Sequence, residues 1–398
     1  MSASVAFATS PAGVRLAQLP PLALYVHIPW CVKKCPYCDF NSHQARGDVP
    51  EAAYAEALVA DLEQALHEVW GRRVGSVFFG GGTPSLFSAA TIGALVSAFR
   101  ARLALAADCE ITLEANPGTF EAEKFRGYRD AGVTRLSIGI QSFDPRHLAA
   151  LGRIHDDREA RRAIEIARTH FDNVNLDLMF ALPGQTPEDA RADVEAALAA
   201  EVAHLSFYHL TIEPNTHFFR HPPALPDEDS AAAMHDAVSA ELGQRGYVHY
   251  ETSAWARPGR ECRHNLNYWR FGDYLGIGAG AHSKVSFPDR VTRSSRWKQP
   301  REYLERAVAG DPLQESHEVG RDDLVFEFMM NALRLTEGFP VGLFAERTGV
   351  QIALAEKALA RAEARGLIVR DHQRIAPSAL GQRFLNDLLQ LFLPVSAS

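Results

Sequence analysis

Residues 22–38 read LALYVHIPWCVKKCPYC, an apolar run followed directly by three cysteines, Cys31, Cys35 and Cys38. The run predicts a buried strand, and three thiols in the loop after it can converge on one inorganic centre. Soft thiolate ligands select an iron–sulfur cluster, zinc or copper. Zinc would need a fourth ligand, for which His43 is the near candidate, whereas three cysteines suit a four-iron cluster with one iron open to a small molecule. Three unrelated buried thiols are the alternative.

The strand at Leu22 is the first of six that alternate with Ala-rich amphipathic stretches, which is typical of βα units around a parallel sheet. The predicted strands begin at Leu22, Val74, Glu110, Gly132, Asp172 and Ala203. Helices are predicted after Pro50 and from Pro187, where proline and acidic residues suit a first turn. The predicted fold is therefore α/β, a partial (β/α)6 barrel with its functional residues at the carboxyl ends of the strands and in the following loops.

The rest of the chain divides by composition. Residues 1–20 have neither a basic leader nor a long apolar run, and we expect a flexible tail. The barrel is expected over 21–217, followed over 218–315 by an extension or lid that includes a glycine-rich and aromatic-rich segment, 257–283. Residues 316–398 predict a helix, a helix-turn-helix and a hairpin, a small α+β domain that resembles a winged helix.

The composition indicates an ordinary folded protein. Of 398 residues, 46% are hydrophobic and 23% charged, which excludes a disordered chain. The net charge of −8 gives no general attraction for nucleic acid. A winged helix suggests a DNA-binding regulator as one alternative, but its second helix carries charges of both signs, so we expect a packing module and no nucleic-acid partner. No apolar run reaches the roughly 18 residues of a membrane span, and the clustered cysteines favour a reducing cytoplasm.

A glycine motif, Gly80-Gly81-Gly82-Thr83-Pro84, follows the second strand as the cysteines follow the first. Together the two motifs resemble the radical S-adenosylmethionine (SAM) superfamily. The resemblance implies that Cys31, Cys35 and Cys38 hold a [4Fe–4S] cluster and that SAM chelates its open iron through amino and carboxylate groups. It also implies that an electron from the cluster cleaves SAM to a 5′-deoxyadenosyl radical. Glycines at such a turn let the backbone approach a ligand closely.

Six strings spread over nearly the whole chain, LYVHIPWC, FGGGTPS, LEANPGT, RLSIGIQSF, DLMFALPGQT and LGIGAGAHS, are similar to the oxygen-independent coproporphyrinogen oxidase group of this superfamily. By this resemblance, Tyr25, Gly81 and Glu114 contact the cluster-bound SAM. Further positions match SAM contacts of the group, in part those of a second SAM: Tyr37, Gly82, Thr83, Gln141, Arg153 and Asp177, with Thr211 and His282 nearby in the alignment. For Glu114 and Asp177 a capping or pairing role near strand ends is the alternative.

The sequence departs from the oxidase two residues after Cys38, where Phe40 replaces a further cysteine. The long N-terminal extension of the oxidase also has no counterpart before the first strand. Both differences argue against oxidative decarboxylation of coproporphyrinogen III to protoporphyrinogen IX. An oxygen-independent coproporphyrinogen III dehydrogenase is therefore the second interpretation, and enzymatic activity is left open.

The string HNLNYW at His264–Trp269 resembles the HNxxYW marker of the HemW family, haem chaperones of this superfamily that bind haem. Imidazole is a usual axial ligand of haem iron, and Tyr268 and Trp269 offer flat apolar surface to a porphyrin. We predict that His264, in a polar loop, is a haem ligand; a hydrogen-bonding histidine is the alternative. Cys262 is an alternative thiolate ligand, and Cys109 is expected to be a buried hydrophobe.

The resemblance implies a chaperone that binds a [4Fe–4S] cluster, SAM and haem and delivers haem to apo-haemoproteins, respiratory enzymes in particular. A cytoplasmic homodimer would fit this family. The stretch FLNDLLQLFLP near the C-terminus is amphipathic but lacks a basic polar face. Because anionic lipid attracts such a face, we expect core packing or a partner surface there, with peripheral membrane contact as the alternative.

Overall fold

A computed structural model describes residues 13–119 and 122–394. The first part of the chain alternates strands and helices. In chain order these are β1 (Leu22–Ile28), β2 (Trp30–Cys31), β3 (His43–Gln44), α1 (Glu51–Val69), β4 (Arg73–Gly81), α2 (Ala89–Arg102), β5 (Ala104–Ala115), α3 (Ala122–Asp130), β6 (Arg135–Gln141), α4 (Pro145–Ala150), α5 (Asp157–His170), β7 (Val174–Phe180), α6 (Pro187–Ala199) and β8 (His204–His209). Short 3-10 helices lie at Pro84–Leu86 and Pro117–Thr119.

Six of these strands form the predicted parallel layer, in the order β1-β4-β5-β6-β7-β8. This confirms the α/β fold class. Most strand starts differ from the predicted ones by one to three residues, and the largest difference is in β5, which begins at Ala104 rather than Glu110. Residues 104–108 are exposed or half-buried and pair only with the start of β4, so they present no apolar run that would predict a strand.

Helix starts place the loops that follow the strands. Asp156 and Thr186 cap α5 and α6, each through a capping box with the residue three positions later. Pro187 then occupies the first turn of α6, as predicted. The apolar sides of these helices cover the parallel layer and form one core with it. The polar loops are therefore left at the carboxyl edge of the sheet.

The next part of the chain enlarges the sheet. Its elements are α7 (His217–Arg220), α8 (Glu228–Gln244), β9 (Val248–Glu251), β10 (Ala254–Ala256), α9 (Arg263–Trp269), β11 (Asp273–Ile277), β12 (His282–Phe287), β13 (Arg290–Arg296), α10 (Pro300–Val308) and β14 (Leu313–Glu318). Strand β11 pairs in parallel with β1, and β12, β13 and β14 continue antiparallel from it. The other edge carries β10 and β9, so the described sheet has 12 strands.

Part of the segment expected to be a lid is thus a strand of the main sheet. Glycines conceal this strand in the sequence. At Gly276 a Cβ would meet the carbonyl oxygen of His282, and Gly278 and Gly280 have φ of +105° and +77°. Only glycine adopts these conformations at low energetic cost. The glycine-rich composition of LGIGAGAHS is therefore typical of a loop, although the run begins within the buried strand β11.

The last part forms a small module with its own core. Its elements are α11 (Arg321–Ala332), β15 (Phe339–Pro340), α12 (Val341–Thr348), a 3-10 helix (Ile352–Ala355), α13 (Glu356–Ala364), β16 (Ile368–Arg370), β17 (Arg374–Pro377), α14 (Ala379–Arg383) and α15 (Leu385–Gln390). The strands pair in the order β15-β17-β16. Glu356 and Glu363 of α13 bind Arg370 of the hairpin, so charges of this helix are used within the module.

Both ends of the described chain pack on this module. Val14 and Leu16 are buried in its core, and the Arg15 N–H donates to the Gly349 carbonyl at 3.0 Å. Of the predicted tail, residues 1–12 lie outside the described residues, whereas the part around Val14 is held in place and is not a free tail. Leu388 and Phe392 of the amphipathic C-terminal stretch are buried in the same core. Within the described ranges, no helix combines the length and apolar character needed to cross a membrane.

Candidate functional site

The carboxyl ends of the six parallel strands surround a cavity of about 410 Å³, here called the cysteine cavity. Most of the residues singled out from the sequence line it: Cys31, Cys35, Tyr37, Cys38, Gly81, Gly82, Thr83, Glu114, Gln141, Arg153, Asp177 and Thr211. Tyr25, His264 and His282 do not line it. The first group spans nearly two hundred positions of sequence, and the parallel strands bring its members to one edge of the sheet.

The three cysteines of this cavity are half-buried and free of disulfides. In the described structure, the sulfur atoms of these three cysteines do not all lie within 4.8 Å of one another. A single zinc ion, with Zn–S bonds of about 2.3 Å, would hold its thiolates closer than that. His43, the near candidate for a fourth zinc ligand, directs Nε2 to the Asn41 side chain at 3.2 Å. The donor set therefore fits a polynuclear iron–sulfur cluster.

The charges around the thiols differ from one cysteine to the next. Burial raises the pKa of Cys31, and the neighbouring Cys38 and Cys35 add to this. Arg153 lies on the other side of the loop, with Nη1 3.5 Å from the Cys35 sulfur. Burial also raises the pKa of Tyr37, which packs on the ring of Phe218, so its hydroxyl stays protonated.

The turn at the end of β4 has no room for side chains at Gly81 and Gly82. Gly81 has φ of +113°, and a Cβ there would lie 2.5 Å from the His27 ring. A Cβ on Gly82 would lie 2.6 Å from the Trp30 carbonyl oxygen. The surrounding protein therefore requires glycine at this turn, where Gly81 and Gly82 line the cysteine cavity together with the loop that carries the cysteines.

Asn116 joins two of the predicted residues. Its Nδ2 donates to the Thr83 hydroxyl at 2.9 Å, while its Oδ1 accepts from Arg153. Arg153 also donates to the Gly139 carbonyl at 2.8 Å. Sequence reasoning did not single out Asn116, although it lies within LEANPGT and follows β5 as the cysteines follow β1. Its place directly after a strand was the available signal.

Two carboxyl groups lie at the floor of the cavity. Burial, with the nearby Asp177, raises the pKa of Glu114 from 4.5 to about 8, and the Gly81 N–H donates to its Oε2 at 3.2 Å. Burial also raises the pKa of Asp177, although Ser137 and Asn175 donate to its two oxygens at 2.7 and 2.9 Å. Glu114 or Asp177 can therefore lose its proton when a cationic group binds beside it.

Gln141 ends β6 in a left-handed conformation, with φ of +69°. A non-glycine residue rarely adopts this backbone, which costs on the order of 1 kcal/mol. Gln141 is one of the residues that line the cysteine cavity. The strain is located at the predicted site.

A second cavity, of about 760 Å³, adjoins the first and is here called the aromatic cavity. The residues common to both cavities are Asp39, Phe40, Gly81 and Glu114. Its aromatic lining residues are Tyr25, Phe78, Tyr268, Trp269, Phe271 and Tyr274, and its basic lining residues include Lys34, His282, Lys284, Arg293 and Lys298. The predicted SAM contact Tyr25 therefore faces this cavity, and so does the C-terminal half of the HNxxYW segment.

The predicted polar loop around His264 is wrong, because HNLNYW lies in helix α9 and His264 is 5% exposed. Its ring stacks on Phe78 at 4.2 Å, which separates it from the aromatic cavity. Its Nδ1 lies 3.0 Å from Glu110 Oε1 and 3.1 Å from the Cys262 sulfur. The polar residues of the motif suggest an exposed loop, but the hydrogen bond with Glu110 allows the imidazole to be buried.

The three buried groups set each other's protonation. Burial by itself raises the pKa of Glu110, but the hydrogen bond from His264 and the charge of His264 lower this pKa to about 2. Burial raises the pKa of Cys262, which therefore stays a neutral thiol, and the guanidinium of Arg135 is the nearby cation. Cys109 is buried, as expected, with its sulfur 3.8 Å from the Glu110 carbonyl oxygen.

Comparison with known proteins gives two family matches. Residues 25–197 match the Radical SAM superfamily, and residues 319–384 match the HemN C-terminal domain. The haem chaperone HemW of Escherichia coli is 48% identical over 382 residues, which cover 95% of this chain and 100% of that protein. The chain belongs to the HemW family. A second HemW, from Haemophilus influenzae, is 46% identical over 95% of this chain and 99% of its own.

A solved structure of E. coli coproporphyrinogen III oxidase (HemN), a radical SAM enzyme, has the same fold as this HemW family member. It superposes with a TM-score of 0.80 and covers 94% of this chain and 90% of that one, with 24% sequence identity. At this identity the likeness concerns the fold alone. Phe40, at which the sequence departs from the pattern expected for the oxidase group, is one of the residues that line both cavities.

Proposed function

We propose that this protein is a haem chaperone, which binds a [4Fe–4S] cluster, SAM and haem and delivers haem to apo-haemoproteins, respiratory enzymes in particular. The observation that carries this proposal is the pair of adjoining cavities in a HemW family member. One cavity presents three thiols, and the other presents aromatic rings and basic groups. We place the protein in the cytoplasm, as a homodimer.

In this proposal the cysteine cavity binds the cluster and SAM. Cys31, Cys35 and Cys38 hold the cluster, and Arg153 lies beside them, with Nη1 3.5 Å from the Cys35 sulfur. Bound together, the cluster and SAM supply one-electron and radical chemistry.

The SAM contacts come from the walls of the same cavity. The turn at Gly81 and Gly82 offers bare backbone, and Glu114 and Asp177 offer carboxyl groups for cationic parts of SAM. Thr83, Tyr37, Gln141 and Arg153 belong to the same proposal. Tyr25 lines the aromatic cavity and not the cysteine cavity, so its contact with SAM requires SAM to extend past Gly81 and Glu114, which line both cavities.

His264 is part of the proposal through the HNxxYW segment. Its ring is held by Glu110 and covered by Phe78, so direct contact with haem iron requires Phe78 to move. In the described arrangement His264 instead supports the wall that Phe78 presents to the aromatic cavity. Cys262 is buried behind the same wall and stays a neutral thiol.

Transfer of haem is tested with protein loaded anaerobically with one equivalent of haem. The acceptor is a membrane preparation from cells grown without haem synthesis, which carries apo forms of respiratory haem enzymes. We expect enzyme activity to recover faster than from the same amount of haem on serum albumin, a passive carrier. Equal or slower recovery of enzyme activity contradicts delivery of haem. In a separate assay, formation of protoporphyrinogen IX from coproporphyrinogen III would support the dehydrogenase interpretation in place of the chaperone.

A further inference from the structure

The aromatic cavity is lined by charged groups that lie outside the HNxxYW segment. Lys34 lies in the cysteine loop, and His282 and Lys298 follow the glycine turn after β11. These residues are far apart in sequence but line the same cavity as the rings of Tyr268 and Trp269. The cavity is thus lined by aromatic rings and by a set of basic groups, here called the basic border, together with the carboxyl groups of Asp39 and Glu114.

The charge of this border is only partly neutralised. Lys284 binds Asp273 at 2.8 Å and Arg293 binds Glu327 at 2.7 Å, so these two lining cations are paired. No carboxylate oxygen of the described residues lies within 4.0 Å of the Lys34 or Lys298 ammonium nitrogen. The cavity therefore favours an apolar planar ligand with acidic substituents, which is the chemistry of a porphyrin with two propionates.

The two lysines are held near each other by one loop. The Lys34 ammonium donates to the carbonyls of Phe40 and Ser42, at 3.0 and 3.1 Å, which leaves its third N–H for a ligand. Between these carbonyls, the Asn41 side chain donates to the Lys298 carbonyl at 2.9 Å. Both ammonium groups are exposed, so binding a propionate would cost little desolvation of protein charge.

His282 is the exposed imidazole of this cavity, in contrast to the buried ring of His264. Within the described part of the chain, no hydrogen bond holds its ring nitrogens. A ring nitrogen is therefore free to bind iron.

We infer that the aromatic cavity is the porphyrin site, with the propionates at Lys34 and Lys298 and His282 as the side chain that ligates the iron. This inference rests on the proposed function, since it takes haem as the ligand. It assigns iron contact to a residue outside the HNxxYW segment. It also places the haem next to the SAM region, because Glu114 and Gly81 line both cavities.

The test separates the iron from the carboxylates with three probes: ferric haem, iron-free protoporphyrin IX and haem dimethyl ester. Affinity and the Soret band are measured anaerobically on full-length His282→Ala and on the double variant Lys34→Ala/Lys298→Ala. Exposed residues of the C-terminal module give the matched controls, His372→Ala and Lys357→Ala. Cluster absorbance verifies that each variant is folded.

We expect His282→Ala to shift the Soret band and weaken haem binding, while affinity for protoporphyrin IX stays unchanged. The lysine variant should lose about tenfold in affinity for haem and for protoporphyrin IX but not for the dimethyl ester, because only charged propionates make the ion pairs. A spectrum altered by His264→Ala and not by His282→Ala overturns the assignment of the ligand. Unchanged affinities in the lysine variant overturn the assignment of the propionates. Wild-type protein that binds none of the probes contradicts the proposed function itself.

Discussion

The two cavities share a wall but are built in different ways. The cysteine cavity takes its lining from loops that directly follow parallel strands, so each of its motifs stands next to an apolar run in the sequence. The aromatic cavity takes its lining from β1, β4, α9 and the antiparallel strands after β11, which meet only in three dimensions. The first is therefore visible as a series of motifs, whereas the second appears only when the sheet is assembled.

The largest expected effect is loss of the cluster in Cys35→Ala, because two thiolates cannot replace three at a cluster that already has one open iron. We expect nearly complete loss of iron and sulfide, measured on anaerobically reconstituted protein. The comparison predicts that haem still binds, since the aromatic cavity contains none of the three cysteines. Cys109→Ala, at a buried cysteine outside both cavities, is the matched control and should keep its iron. Joint loss of cluster and haem would show that the cavities are one site.

Gly81→Ala should reduce SAM affinity by at least about tenfold, since a methyl group would overlap the His27 ring and push the turn into the cavity. Calorimetric titration of SAM into the cluster-loaded protein measures this. Gly71→Ala provides the control, because Gly71 also has positive φ, +73°, but has open space around its Cβ position. If both variants bind SAM like the wild type, the glycine turn is not part of the SAM site.

Glu114 predicts a pH dependence of stability. Its pKa is raised by burial to about 8, so its folded state retains a proton that the unfolded state loses above about pH 4.5. This contribution to stability is full below pH 4.5 and is lost as the pH rises to about 8. The upper limit is on the order of 5 kcal/mol, at 1.36 kcal/mol per pKa unit.

Denaturant unfolding between about pH 5 and about pH 8 measures this effect. The free energy of unfolding of the wild type should fall more steeply with rising pH than that of Glu114→Gln, which has no proton to lose. The exposed Glu195→Gln provides the control and should follow the wild type. Parallel slopes for all three proteins would contradict a protonated Glu114.

The smallest effect is expected at the aromatic wall. Trp269→Phe keeps an aromatic ring but reduces its area, so haem affinity should fall by about fivefold while SAM affinity is unchanged. Fluorescence quenching by haem measures the change. Trp70→Phe, at a tryptophan that is 79% exposed and outside both cavities, corrects for the altered fluorescence. An effect on SAM but not on haem would reverse the roles of the two cavities.

The sequence predicts most of the parallel layer because β1, β6 and β7 are buried along nearly their whole length and the other strands along most of theirs, so apolar residues dominate these segments. The positions of Cys31, Gly81, Glu114 and Asp177 around one cavity follow from the same reasoning. Asn116 was missed although it satisfies the same rule, because a single asparagine is not distinctive outside its three-dimensional contacts with Thr83 and Arg153.

The environment of His264 was beyond sequence reasoning. Its partner Glu110 is separated from it by 154 positions, and the helix that carries it is short and rich in polar letters. Strand β11 was missed for a related reason, since the glycines required by its turn at Gly278 hide its apolar pattern. In both cases a contact distant in sequence decides the local structure.

The packing of Val14 and Leu16 on the C-terminal module has a consequence for the order of folding during synthesis. Val14 and Leu16 are synthesised before Val350 and Leu359, which belong to the same core but lie more than three hundred positions later in the sequence. During elongation at about 5–20 residues per second, the segment around Val14 therefore waits some tens of seconds with its apolar side chains uncovered. Only when the C-terminal module has been made can this segment pack into its place in the core.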